Sequence, residues 1–270
     1  MENRMQSMIY ASTLLIFIAS ASFADADTGP LGFGDQGFHE KLLSDRPDFT
    51  ESVSTIDMGH LQVESGYTYT ENNIESSHLF PELLARIGLA ENFELRLGWP
   101  GYILGTESDG GQTRNFKGTV ESSVGFKQRL TTGQKIDFSY IAEIGLPTGR
   151  DGIGTENVEP QLKLLWVTDL SEDLSLGGNI NLSSVKPEED RYFESAASLT
   201  IGFPLIENLG GYVEYFGYYG WENEYNDTHY INGGVTCEIT PDLQLDFRVG
   251  SGITSESDDL FSGIGLVFRL

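Results

Sequence analysis

Apolar and polar residues alternate with a period of two along most of the chain beyond residue 58. Between Glu82 and Trp99, the residues Leu83, Ala85, Ile87 and Leu89 share one side of an extended segment, with Arg86 and Gly88 on the other. A polar turn follows at Ala90, Glu91 and Asn92, and then Phe93, Leu95, Leu97 and Trp99 alternate with Glu94, Arg96 and Gly98. Side chains point to opposite faces along a strand, so this stretch is an amphipathic hairpin. The pattern recurs around Val63, Val124, Tyr140, Leu164, Ile180, Leu199, Glu214, Val235, Leu245 and Leu266, about twelve strands in all. Near Glu214 the two faces are less cleanly sorted, since Val213 and Tyr215 flank the acid among further aromatics.

The connections carry a second pattern. Short turns near Glu91, Thr132, Ser171, Glu207 and Pro241 alternate with longer acidic or Gly-rich gaps near Asn73, Ser108, Gly152, Glu188, Asn223 and Ser257. The gap after the opening hairpin is read as irregular from Pro100 to Asn115. Such alternation predicts an all-β fold, a transmembrane antiparallel up-and-down β-barrel, with tight turns and both termini on its periplasmic rim. A closed barrel leaves no unpaired backbone edge in lipid. A barrel of about twelve strands is also too wide for side chains alone to fill, since about eight already suffice for that, so the apolar face belongs outside. The polar face is then the lumen, with pore candidates Arg86, Glu94, Arg96, Glu121, Lys127, Glu143, Lys163, Glu214 and Arg248. Arg86, Glu94 and Arg96 on neighbouring strands are expected to form a cross-strand charge cluster. Tyr67, Tyr69, Phe93, Trp99, Tyr102, Trp166, Phe203, Tyr219, Trp221 and Phe268 are candidates for an interfacial girdle.

Residues 1–24 have the form of an export signal. Arg4 is the basic head, Met8 to Ala21 the apolar run, and Ser22, Phe23 and Ala24 a small-x-small site, with cleavage predicted after Ala24. The run is short for a spanning helix, which needs about 20 residues. Residues 25–58 lack sustained periodicity and are read as an irregular periplasmic arm able to plug the barrel formed by 59–270. Within it Asp45, Arg46, Pro47, Asp48, Phe49, Thr50, Glu51 and Ser52 form a dense polar cluster around one aromatic.

Composition removes several functions. A net charge of -25 argues against a nucleic-acid partner, which needs clustered Lys and Arg. The single Cys237 forms no intramolecular disulfide. His78 near Ser76 and Ser77, and His229 near Asp227, lack a third partner for nucleophilic catalysis, so no enzyme is predicted. The acidic loops, with Glu71, Glu75, Glu107, Asp109, Asp151, Glu156, Glu188, Glu189, Asp190, Glu222, Glu224, Asp227, Glu256, Asp258 and Asp259, match no defined calcium loop and are read as a solvated rim. No nucleotide loop or cofactor motif is present, and no cofactor is expected.

The run from Asp45 to Ser52, then Gly59 to Gly66, then Pro81 to Leu89, resembles the meta-pathway phenol-degradation (MetA-like) family of outer-membrane transporter-like proteins, and Leu146, Pro147, Thr148 and Gly149 fit it as well. The resemblance implies an outer-membrane barrel that passes small, aromatic or hydrophobic molecules. The terminal Leu266, Phe268 and Leu270 resemble the signal by which the barrel-assembly machinery recognises its clients. The expectation is a passive channel in the outer membrane of a diderm bacterium, with lipid, the assembly machinery and a small-molecule permeant as partners. The alternative is a closed structural or ligand-binding barrel without transport.

Overall fold

The computed structural model describes residues 28–270 apart from 36, 40, 151–152, 155–156, 187–191 and 221–226. The expected signal peptide therefore lies outside the described residues. The strands are β1 (Leu61–Glu71), β2 (Glu75–Ala90), β3 (Phe93–Asp109), β4 (Gln112–Thr119), β5 (Ser122–Arg129), β6 (Asp137–Leu146) and β7 (Glu159–Ser171). They continue as β8 (Leu174–Val185), β9 (Tyr192–Ile206), β10 (Leu209–Gly220), β11 (Thr228–Thr240), β12 (Leu243–Gly252) and β13 (Leu260–Arg269).

Every neighbouring pair is antiparallel, and β1 pairs with β13 from Gln62↔Arg269 to Glu71↔Leu260, which closes the sheet on itself. At the seam Leu61 and Leu270 exchange both backbone hydrogen bonds, at 3.1 and 2.8 Å. β4 and β5 occupy one place in the wall, because β3 pairs with β4 through Tyr102–Asp109 and with β5 through Phe93–Gly98. The thirteen segments thus make a twelve-position barrel.

Two expected boundaries move. β2 begins at Glu75, well before Leu83, and β3 runs on through the expected gap to Asp109 before returning as β4. The ladder Phe80↔Tyr102 to Glu75↔Glu107 pairs the backbone there. The turn between them uses Gly110 and Gly111, both with positive φ. Only the partner strand makes this ribbon regular, so the Gly-rich sequence alone reads as a loop. The tight turns lie together on the rim that also carries Leu61 and Leu270.

The wall sorts its side chains as the alternation requires. Leu97, Leu162, Leu164, Ile180, Leu199, Val213, Ile231, Phe247 and Ile264 point outward and are exposed, a continuous apolar belt. Such a surface is unsuited to water and suited to hydrocarbon. Gln62, Glu64, Arg86, Glu94, Arg96, Lys127, Ser139, Asn179, Glu214 and Asp246 point inward and are buried. The inner wall also has an apolar patch, Ile141 and Leu165, both at 0 % exposure, which packs against Val53 of the arm.

Leu199 is 45 % exposed on the outer face. Leu199→Arg is expected to cost about 2–4 kcal/mol in lipid vesicles, the range for a cation on a barrel's lipid face near the midplane. Equilibrium unfolding in vesicles measures this. A cost near the about 0.5 kcal/mol typical of a watery surface would contradict a membrane-facing wall.

Candidate functional site

Residues 42–57 of the arm lie inside the barrel, bonded to its inner wall by backbone and side chains alike. The alternating acid and base of Asp45 and Arg46 meet two walls of opposite charge. On one side, β2, β3 and β5 bring together Arg86, Arg96 and Lys127. Asp45 accepts from Arg96 Nη1 at 2.5 Å and from Lys127 Nζ at 2.9 and 3.0 Å, and lies 3.5 Å from Arg86 Nη1. Glu94 takes two hydrogen bonds from Arg86, at 2.9 and 3.1 Å, and one from Arg96 at 2.9 Å. Glu64 accepts from Arg86 at 3.1 Å and from the Asp45 backbone N–H. Three buried cations thus meet Glu64 and Glu94 from the wall and Asp45 from the arm.

The same basic wall holds the arm's carbonyls and amides. Arg86 donates to Ser54 O at 2.7 Å and to Leu43 O at 3.1 Å, and Lys127 donates to Ser52 O at 2.7 Å. Ile56 N–H donates to Glu94 at 2.9 Å, and Ser139 donates to Val53 O. Lys163 donates to Glu51 at 2.9 Å, and Arg96 reaches the same oxygen at 3.4 Å.

A second stretch of the wall, around β10 and β12, is acidic, and Glu82 joins it from β2. Arg46 pairs with Glu82 at 3.1 Å and with Asp246 at 3.4 Å. Its guanidinium lies 2.3 Å from where a Cβ on Gly66 would sit, so a side chain there would displace it from Glu82 and Asp246. Glu214 accepts from Phe49 N–H at 2.8 Å, from Thr50 N–H at 2.7 Å, from the Thr50 hydroxyl at 2.6 Å and from Asn232 at 2.7 Å. Arg248 donates to Pro47 O at 2.9 Å, and Asn179 donates to Phe49 O at 3.2 Å.

Of the expected pore residues, Arg86, Glu94, Arg96, Lys127, Lys163, Glu214 and Arg248 therefore touch the arm. Glu143 on β6 stands one inward position from Ile141 and, among the described residues, makes no hydrogen bond to the arm. Glu121 lies apart from this network, in the break between β4 and β5, with its carboxylate against Gly149 and Gly154 of the following loop. The sequence pattern did not single out Phe216, Tyr218, Tyr230 or Phe261, which stack inside the lumen beside Phe49. Aromatics on both faces of β10 are what blurred its alternation.

A cavity of about 690 Å³ remains between the arm and the wall at the tight-turn rim. Pro47, Thr50, Gly177, Thr200, Gly202 and Tyr212 line its inner part. His78 bonds Tyr67 at 2.7 Å while Ser76 bonds Thr106, and His229 bonds Tyr215 at 2.7 Å, so neither histidine is set against a serine as a base. Among the described residues no group of three His, Cys, Asp or Glu is arranged to hold a metal ion. Asp151, Glu156, Glu188, Glu189, Asp190, Glu222, Glu224 and Trp221 lie outside the described residues.

Burial alone would push the Asp45 carboxyl up, but the Arg86, Lys127 and Arg96 charges overcome it and hold Asp45 well below the usual carboxylate range. Burial first, and then the neighbouring Glu214 charge, push Asp48 well above that range. The signs are opposite. A carboxyl held low stabilises the docked arm at every pH above the usual range and loses that contribution only as pH falls through its docked value. Asp48 prefers its proton when docked, so its contribution weakens as pH rises from the usual range to its docked value. Asp45→Asn leaves buried cations underpaired and is expected to cost about 3–5 kcal/mol of docking. Hydrogen exchange at the Phe49, Thr50 and Ile56 amides reads this: faster at pH 7 in Asp45→Asn, slower in Asp48→Asn. Unchanged exchange in both variants would contradict the assignment.

The chain matches the model of the family described as "Putative MetA-pathway of phenol degradation" over residues 44–270. No curated protein matches it significantly. Among solved structures it is similar to the COG4313 outer membrane channel from Pseudomonas putida F1, with 13% identity and a TM-score of 0.63, covering 83% of this chain and 99% of that one. It is also similar to the NanC porin, with 10% identity and a TM-score of 0.53, covering 78% of this chain and 100% of that one. At these identities the likeness is one of fold, a porin-type barrel. The family match begins one residue before Asp45 and runs through the whole wall to Leu270, and the chain belongs to the phenol-degradation MetA family.

Proposed function

We propose that the protein is an outer-membrane channel for the passive passage of small molecules, aromatic compounds among them, and that residues 42–57 are its gate. The observation that carries this reading is the division of charge between wall and arm. The lumen wall bears a cation excess on β2, β3, β5 and β7 and an acid excess around Glu214 on β10 and Asp246 on β12, and the arm supplies the complement to each through Asp45, Glu51 and Arg46. With the arm withdrawn, the two walls face each other across a polar, hydrated lumen. That arrangement orients permeants and sets ion selectivity. The tight-turn rim, the arm and the 690 Å³ cavity then face the periplasm, and the long loops face outward. The solved channels of similar fold and the family membership support the same compartment and class of activity.

A closed structural barrel is the second reading, and the density of bonds between arm and wall favours it. Planar-bilayer recording of residues 25–270, with and without residues 25–57, separates the two. A channel gives stepwise current that enlarges at least about twofold on deletion, as expected when a constriction is removed. No current from either protein, with the barrel shown folded by heat-modifiable gel mobility, would overturn the channel reading. In the deleted form, Arg96→Ala is expected to shift selectivity toward cations and Glu94→Ala toward anions. Identical reversal potentials in all three would remove these residues from the permeation path.

A further inference from the structure

Most of the inner wall is polar, yet rings are gathered at one place in it. Phe216 on β10 is sandwiched between two rings, Phe49 of the arm at 4.6 Å and 4° and Tyr230 of β11 at 4.8 Å and 13°. Tyr218 meets Phe49 edge-on at 5.5 Å, and Phe261 closes the far side against Tyr230 and Phe216 at 6.0 and 6.1 Å. Four of these rings belong to the wall, and only Phe49 comes from the arm. Its ring is therefore a removable member of a stack whose remaining members are fixed by strand register.

The space Phe49 fills has a defined shape. On β9, between β8 and β10, Ala196 pairs with Asn181 and Tyr218, and Ser198 pairs with Phe216. Small residues on β9 thus leave a slot with an aromatic wall on the β10 side and an amide wall on the β8 side. The amide wall is underused: Asn179 and Asn181 are 1% and 5% exposed, and among the described residues their side-chain carbonyl oxygens have no hydrogen-bond partner. A buried acceptor without a donor is costly, so a ligand that brings a hydroxyl would be favoured there. Asn179 already holds Phe49 through its carbonyl, which places that amide at the slot.

We infer that this slot is a binding site for a single-ring phenolic compound, and that Phe49 is its resident occupant. The incoming ring stacks on Phe216 with its edge toward Tyr218, at the centroid spacing that aromatic pairs prefer. Its hydroxyl donates to the carbonyl oxygen of Asn179 or Asn181. Binding and arm docking then exclude each other, so a permeant of this class loosens the arm that blocks its way. The inference rests on the channel reading for the ligand's route, and not for the site itself.

The test uses the full mature chain in detergent with 4-fluorophenol as probe, read by fluorine NMR. Phe49→Ala, with the slot vacated, is expected to bind at least tenfold more tightly than the unsubstituted protein. Phe49→Leu, which keeps the slot filled, and Phe49→Ala combined with Phe216→Ala, which removes the stacking wall, should show no gain. Cyclohexanol, with the hydroxyl and no aromatic ring, should not compete. Equal affinity in Phe49→Ala and the unsubstituted protein, both with the heat-modifiable mobility of a folded barrel, would overturn the site. Bilayer current recorded from the same preparations keeps the two readings apart: current without an affinity gain overturns the slot alone, and a gain without current overturns the channel alone.

Discussion

A cation enclosed by a barrel wall needs a counter-ion within a few ångströms, and this wall supplies too few of them. Arg86, Arg96 and Lys127 are buried on adjacent places of the sheet, with Glu94 among them and Glu64 beside Arg86 on β1. The missing charge is the Asp45 carboxylate, which touches all three cations. Removing an ion from water costs several kcal/mol, and close pairing with further hydrogen bonds must offset that. The arm's path follows from this requirement. Once Asp45 is fixed, Arg46 points to Asp246 on β12 and Glu82 on β2, and Glu214 on β10 gathers the amides of Phe49 and Thr50.

The wall was legible in the sequence because lipid imposes a strict rule on it. Outward positions must be apolar and inward ones need not be, so period-two alternation survives along Leu83–Leu89, Ile136–Ile144 and Leu243–Val249. The alternating lengths of the connections gave the topology for the same reason, since strands joined in antiparallel order have turns of two kinds at two rims. The rule fails where no lipid is in contact. The ribbon from Tyr102 to Thr119 is held by cross-strand pairing and not by burial, so its Gly-rich turn read as part of a loop.

The interior was legible only in part. Charges on the polar face identified the lumen, and opposite signs on β2 and β3 pointed to their cluster, but nothing local to the sequence says which wall residue an arm residue will meet. Asp45 and Lys127 are 82 positions apart, and Arg46 and Asp246 are 200 apart. The inward aromatics were hidden by a different cause. Phe216 and Tyr218 face the lumen while Val213 and Tyr215 face out, so β10 is apolar on both sides and loses its period. Ile141 and Leu165, the inward apolar seat of Val53, escaped notice for the same reason.

Closure of the lumen by the docked arm is tested most directly by a reversible tether. Thr50 Oγ1 and Ser198 Oγ lie 2.7 Å apart, so cysteines at both positions, with Cys237→Ser to remove the native thiol, join the arm to β9. Unitary current through single barrels is then recorded before and after a reductant is added to the same bilayer. The account predicts that the oxidised form stays at its smallest conductance and that reduction releases larger stepwise openings. Equal currents in the oxidised and reduced forms would contradict it, because a tethered arm that does not limit the current is not the gate.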